Sequence, residues 1–414
     1  MQSNYKRLGD YIQKVDNRNR DSKVEVLLGI SMTKEFRVST SNINGTDMSV
    51  YKVVNKDQFS CDFMSVIRVH KFPVVLKKDE KPILVSPAYT VFEVKDKEVL
   101  NPEYLMMWFR RSEFDRYADF KCDSAIRGGF DWDALCDCLL PIPSLVKQLE
   151  IVKEYNVVQN RIKLNNQFIA RLEETAQTIY KHWFVDFEFP DEKGLAYKSN
   201  GGEMEWCEEL GINIPKYFVA KSISQLCNIS SSRRIFENEY TSDGVPFYRG
   251  KEITLKKNGN SIAEPIFISE KRYNELIKLS GKPVKGDILM TAVGTIGSTY
   301  LVQDEKFYFK DGNVIWFRKF ESEWVNMYLY DFMQSKSFKD LINEITIGST
   351  QSAITITTFG EQLIVIPHKD LLIRYHTIST SMNNSLQASK SANEGLKMLR
   401  KLLLSKMTKV EELA

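Results

Sequence analysis

Asn101-Pro102-Glu103-Tyr104 is the stretch of this chain that comes nearest to spelling a catalytic site. An N-P-P-Y box holds the amino group of a flipped base through its side-chain amide and a backbone carbonyl, with the aromatic ring stacked on the base. Here Glu103 replaces the second proline and no glycine-rich cofactor loop precedes it, so a turn opening a helix is the expected role. Gly281-Lys282 is followed by Pro283 and has no glycine five residues earlier, which excludes a phosphate loop. Gly294 and Gly297, in G-T-I-G, are expected to permit a tight hairpin. Asp186, in V-D-F, has no partner at metal-ligand spacing and is expected at a helix end or interface. His70, His182, His368 and His376 show no ligand spacing either. Of the six cysteines only Cys136 and Cys138 come close, as C-x-C, which is neither a disulfide framework nor a zinc pair. No catalytic centre, metal site or resident cofactor is expected.

The elements around these residues show more. A chain of 414 residues exceeds one ordinary core, so two or more domains are expected. No run approaches the roughly 18 apolar residues of a membrane span, and MQSNYKRLGDYIQ lacks the apolar stretch of a secretory signal. A reduced, cytoplasmic protein is the expectation. Net charge is +3, distributed as +1 over 1–143, −4 over 144–215, +2 over 216–367 and +4 over 368–414. Any nucleic-acid binding must come from local basic patches rather than bulk charge.

Laid on itself at an offset of 224, the chain matches without gaps across 89–143. Tyr104 and Leu105 fall on Tyr328 and Leu329, Phe114 on Phe338, Leu139 on Leu363, Ile142 on Ile366 and Pro143 on Pro367. SPAYTVFEV (86–94) lies over KDGNVIWFR (310–318), and one residue of slippage places Asp62-Phe63-Met64 on Asp287-Ile288-Leu289. A duplication is the reading. Strands are expected at Thr90–Val94, Val314–Phe317 and Gly286–Met290, and one helix over Glu103–Phe120, for an α+β class.

After each copy the period changes from strand to heptad. Ile151, Tyr155, Val158, Ile162, Asn165, Ile169, Leu172, Ala176, Ile179 and Trp183 step by four and three, a coiled-coil seam with Asn165 as a polar register residue. A helix from 144 to 186 would be roughly 60–65 Å long at the α-helical rise. It needs a partner, and residues 371–413 supply one through Met382, Leu386, Leu396, Leu399, Leu403 and Met407. Pairing is assigned chiefly to Ile162, Ile169, Leu172 and Ile179 against Leu386, Leu396 and Leu403, in an antiparallel coiled coil. Ser389 and Asn393 interrupt the second seam. Residues 187–215, with six Gly or Pro, read as a linker without regular structure. The resulting organisation is 1–143 globular, 144–186 helix, 187–215 linker, 216–367 globular and 368–414 helix.

This pattern resembles the specificity subunits of type I restriction–modification systems. TAQTIYKHWFVDFEFP (175–190) resembles the family's helix-end signature, and NGGEMEWCEELGINIPKYF (200–218) the spacer into its second recognition domain. KGDILMTAVGTIGSTYLV (285–302) resembles a strand–turn–strand motif of these domains, and LLPIPSLVKQ (139–148) the junction from domain to helix. With the repeat, the resemblance covers nearly the whole chain. It departs in the second helix, which no V-D-F closes, and in the first copy, where SVIRVHKFP (65–73) stands in place of the G-T-I-G turn.

The resemblance implies two target-recognition domains, each reading one half of a bipartite, asymmetric site on double-stranded DNA. The helices would space them and dock two modification subunits that methylate adenine, with restriction subunits joining to translocate and cut. S-adenosylmethionine, ATP and magnesium would sit on those partners, and this chain would not be an enzyme by itself. DNA contacts suit Arg and Lys toward guanine and phosphate, and Asn or Gln toward adenine. The candidates are Arg18, Arg20 and Lys23 in NRNRDSK (17–23), Arg68 and Lys71 in SVIRVHK (65–71), and Arg127. In the second copy they are Arg233 and Arg234, Arg249 and Lys251, Lys256, Lys257 and Asn258, and Ser349, Thr350 and Gln351. Arg110-Arg111 is assigned to the solvated face of its helix. Two alternatives stand beside this reading: a fragment of a fused restriction–modification enzyme, and a coiled-coil scaffold with two protein-binding domains.

Overall fold

The computed structural model describes residues 5–39, 45–122, 129–346 and 355–408. The chain divides into two units, one of residues 1–162 and 396–414, the other of residues 163–395. Among the described residues, no helix is long and apolar enough to cross a membrane.

The first unit is built on a four-stranded antiparallel sheet. Its order is Ile12–Val15, Thr90–Val94, Gln58–Cys61, Val74–Leu76. Alternation in Thr90–Val94 buries Phe92 and Val94 on the face that also carries Phe59 and Ile12. The Phe59 and Phe92 rings stack at 4.8 Å across the ladder. Helices Pro102–Phe109 and Ser112–Cys122 cover that face, and Phe72, Phe109, Phe114 and Phe130 close the core. Each fully buried phenyl group contributes roughly 1.5–3 kcal/mol.

The single helix expected over Glu103–Phe120 is two helices, and the break explains a second correction. At Arg110-Arg111 the chain turns, and Arg111 is 7% exposed with its guanidinium 4.2 Å over the Trp108 ring. Arg111 is therefore not on a solvated face: stacking on the indole and a 3.7 Å approach to Glu113 hold it in. Lys34 is also buried, donating to the Phe109 carbonyl and to Asp115 at 2.7 Å. Burial pushes its amine down in spite of Asp115.

The second unit repeats the sheet as Asn228–Ser230, Val314–Arg318, Ile288–Thr291, Thr299–Leu301, again antiparallel and in the same order. Strand Thr90–Val94 and strand Val314–Arg318 are 224 residues apart at both ends. So are helices Ser112–Cys122 and Lys336–Thr346, and helices Trp132–Cys136 and Ile356–Gly360. Upstream the expected alignment is corrected. Phe59 pairs with Phe92 as Leu289 pairs with Trp316, so Leu289 corresponds to Phe59 and not to Met64. The segment after the third strand is longer in the first copy, and a one-residue slip cannot absorb it.

The long helices are Leu145–Phe184 and Lys369–Lys406, and their starts are also 224 residues apart. Within each unit their segments run antiparallel. In the first, Arg400 donates to Gln159 at 2.6 Å, while Val152, Tyr155 and Met407 share the core with Leu404 against them. In the second, Asn393 donates to Asn166 at 2.8 Å, Lys390 meets Glu173 at 3.0 Å, and Tyr180 packs on Tyr375. Of the assigned pairing residues, Ile162 is buried and Ile169, Leu172, Ile179, Leu386, Leu396 and Leu403 are half-buried. Asn393, the polar interruption of the second seam, is 3% exposed within it, whereas Leu399, expected in the seam, is 44% exposed.

Residues 187–215 contain regular structure after all. Met204–Cys207 and Ile212–Pro215 form an antiparallel hairpin around Gly211, whose φ of 64° suits a turn. Cys207 and Ile214 bury in the cluster that holds Phe187, Phe189 and Phe218, and that burial offsets the density of glycines and prolines nearby.

Candidate nucleic-acid interface

The register of each sheet decides which segments share an end. In the first copy Val15 pairs with Val91 and Cys61 with Thr90, so the chain leaves both strands beside the start of Thr90–Val94. NRNRDSK follows the first of these strands and SVIRVHK the second. In the second copy Ser230 pairs with Trp316 and Thr291 with Val314, so SSSRR and the G-T-I-G turn also leave beside the start of their central strand. NRNRDSK and SSSRR thus occupy one equivalent place, and SVIRVHK and the G-T-I-G turn the other.

Their internal construction differs. Segment 62–73 of the first copy holds the short helix Val66–Val69, ended by His70 at φ 53° and tied by His70 Nδ1 to Asp119 at 2.9 Å. Its counterpart, 292–298, is a tight turn in which Gly294 and Gly297 both have φ 79° and Gly297 donates to the Thr291 carbonyl at 2.9 Å. That is the hairpin role expected of these glycines.

The basic side chains sort by what already engages them. Arg18 is half-buried, bonded to Asp16 at 3.0 Å and to the Val50 carbonyl at 2.9 Å. Lys23 pairs with Asp21 at 3.0 Å, and Arg68 donates to Ser65 at 3.2 Å. Arg234 pairs with Asp311 at 3.0 Å, and Lys256 with Glu305 at 2.6 Å. Arg249 caps its own helix, Gly250–Lys257, by gripping the buried Glu252 at 2.9 and 3.1 Å. Burial pushes the Glu252 carboxyl up, but the Arg249 side chain and amide bring it below its ordinary value. Lys257 turns into a cavity, while Asn258 is exposed. Arg20, Lys71, Arg233 and Lys251 are exposed and have neither a side-chain hydrogen bond nor an ion pair among the described residues. Arg127, Ser349, Thr350 and Gln351 lie outside the described residues.

Tertiary structure gathers the second-copy segments further. The pairing of Val245–Tyr248 with Tyr308–Phe309 lets Lys310 donate to the Tyr248 carbonyl at 2.9 Å, beside Arg249. Asp311 holds Arg234, and Gly312 donates to Ser231 at 3.2 Å. Thr254 reaches Ser298 at 3.3 Å, joining helix Gly250–Lys257 to the turn. Sequence reasoning passed over Lys310, although the KDGN run before the aligned strand was there as a signal.

The other motifs have structural roles. Asn101 caps helix Pro102–Phe109, accepting from Glu103 N at 2.9 Å and Tyr104 N at 3.1 Å. Asp186 pairs with Lys181 at 2.7 Å at the end of the first long helix. No group of His, Cys, Asp or Glu among the described residues could hold a metal ion.

Residues 215–371 match the family model described as Type I restriction modification DNA specificity domain. A Haemophilus influenzae protein provisionally named as a type I restriction enzyme specificity subunit is 27% identical over 213 residues, 49% of this chain. That match spans 52% of the relative, about half its length. The type I restriction enzyme MjaIX specificity subunit of Methanocaldococcus jannaschii is 23% identical over 360 residues, covering 81% of this chain and 75% of its own. A crystal structure of the type I restriction–modification system S subunit from M. genitalium superposes with a TM-score of 0.60 at 14% identity, over 97% of this chain and 95% of that one. At that identity the likeness is one of fold. The second copy thus matches the sequence model of the type I restriction–modification specificity domain, and nearly the whole length is similar in fold to a solved specificity subunit.

Proposed function

We propose that this chain is the DNA-reading subunit of a type I restriction–modification complex, and that it catalyses nothing itself. The observation that carries the reading is the pair of equivalent sheet ends bearing different segments. Two unlike readers held by one chain specify a split, non-palindromic sequence, whereas identical readers related by symmetry specify palindromes. Each sheet end, with Arg20 and Lys71 in one copy and Arg233 and Lys251 in the other, contacts one half-site. The antiparallel helices set the number of unread base pairs between the halves and dock two modification subunits, which carry S-adenosylmethionine and methylate adenine. Restriction subunits bring ATP and magnesium, and the complex works in the cytoplasm.

Mapping of 6-methyladenine by long-read sequencing, in cells with and without the gene, tests this. Loss of methylation at one split, asymmetric motif is expected. Alleles altered only in 16–23 and 62–71, or only in 231–236 and 292–298, should each change one half of the motif. If reconstitution with the modification subunit leaves DNA both unmethylated and unbound, the reading fails and a protein-binding scaffold replaces it. Binding that weakens steeply with salt supports the DNA reading, because phosphate contacts release counterions.

A further inference from the structure

Lys257 is one of the basic residues of KKNGN (256–260). It closes helix Gly250–Lys257, is half-buried, and lines a cavity of about 400 Å³ inside the second unit. The polar lining includes Gln177, Asp331, Lys339, Asn383 and Lys390, drawn from both long helices and two helices of the recognition domain. Leu172, Met382 and Leu386 form an apolar wall.

The cavity lining carries Lys257, Lys339 and Lys390 against Glu173, Glu174 and Asp331, and all three carboxylates are already engaged. Lys390 is already engaged, meeting Glu173 at 3.0 Å and donating to the Lys257 carbonyl at 2.9 Å. Glu174 is held by Arg171 at 2.8 Å. Asp331 accepts from Tyr375 at 2.7 Å and from Ser379. The amines of Lys257 and Lys339 have no hydrogen bond or ion pair among the described residues. Burial, then the Lys390 charge, holds the Lys257 amine below its ordinary value, with the Glu173 carboxylate acting the other way. A half-buried cation without a partner is costly, and an anion in the cavity would offset that cost. The volume suits a small organic ligand, with a few polar groups fixing its orientation over an apolar surface.

We propose that this cavity binds a phosphate group carried by a nucleotide-sized molecule, with Lys257 and Lys339 on the phosphate and the remainder against the apolar wall. Lys339, exposed at the rim, admits the phosphate, and Lys257 fixes it further in. A backbone phosphate of duplex DNA presents the same chemistry, so the test separates the two sources.

The intact chain is titrated calorimetrically with pyrophosphate, with ATP and with duplex DNA. The same titrations are made on Lys257→Gln and Lys339→Gln, after melting curves confirm that both variants fold. The expected result is salt-sensitive binding of pyrophosphate and ATP, weakened about tenfold or more by either substitution as a charge-assisted contact is lost. Duplex DNA affinity should stay unchanged. If DNA instead displaces pyrophosphate and both substitutions weaken both ligands, the phosphate site stands and its source is the DNA backbone. Absence of binding by pyrophosphate and ATP, or wild-type binding in both variants, overturns the proposal. None of these readouts depends on methylation, so the site and the DNA-reading function fail separately.

Discussion

In the first copy, Tyr104 donates its hydroxyl to the Pro141 carbonyl at 3.0 Å; in the second, Tyr328 donates to that of Val365. Both donors and both acceptors are 224 residues apart, so one buried bond is built twice. A few residues away the copies diverge. The first closes its junction with the helix through Gln148, fully buried, which accepts from Asn101 N at 2.8 Å and donates to the carbonyls of Pro143 at 2.8 Å and Val99 at 2.9 Å. The second has no such glutamine, since Leu372 stands 224 positions on. It uses Asp331, where the first copy has the buried Met107, to accept from two hydroxyls of the second long helix. The ladder is common to both, while junction and loop chemistry belong to each copy. Such a frame lets junctions and loops vary without rebuilding its core.

The sharpest way to break this comparison is at Gln148. Gln148→Leu strands an amide and two carbonyls in the interior, and should cost on the order of 3–5 kcal/mol. Chemical denaturation of the intact chain measures it, and a loss under 1 kcal/mol would make the first junction as tolerant as Leu372 suggests for the second. Next is Asp331, whose carboxyl burial raises from 3.8 to about 6. The folded state therefore holds its proton more tightly than the unfolded one. Stability contributed by this group is full below pH about 4 and is lost as pH rises to about 6, on the order of 2–3 kcal/mol. Asp331→Asn, which keeps an acceptor for Tyr375 and Ser379, should remove that slope from melting temperature against pH. An unchanged slope would place the titration elsewhere. The smallest effect tests the shared feature: Tyr104→Phe and Tyr328→Phe should each cost about 1 kcal/mol. Clearly unequal costs would show that the bond has drifted in one copy.

Part of this was legible without coordinates. The helices begin, and the central strands run, at the 224-residue spacing, because apolar period and turn residues are local and survive divergence. The capping role of Asn101 and the hairpin role of Gly294 and Gly297 were legible for the same reason. The basic candidates could not be told apart in the sequence. Arg18, Arg234 and Arg249 look alike in the sequence to Arg20 and Arg233, yet acidic groups at Asp16, Asp311 and Glu252 already hold them.

Composition, period and repeat thus determined by themselves the α+β class, the duplication and the antiparallel pairing of two long helices. Only the tertiary structure decided that the loops of each copy leave one end of one sheet, because strand register is set by pairing between distant segments. It alone placed Leu289 opposite Trp316, buried Arg111 on Trp108 and drew the 204–215 hairpin out of a segment rich in glycine and proline. It alone placed Lys257 at a cavity. Each of these depends on a partner far away in sequence, and burial against that partner outweighs what the local residues prefer.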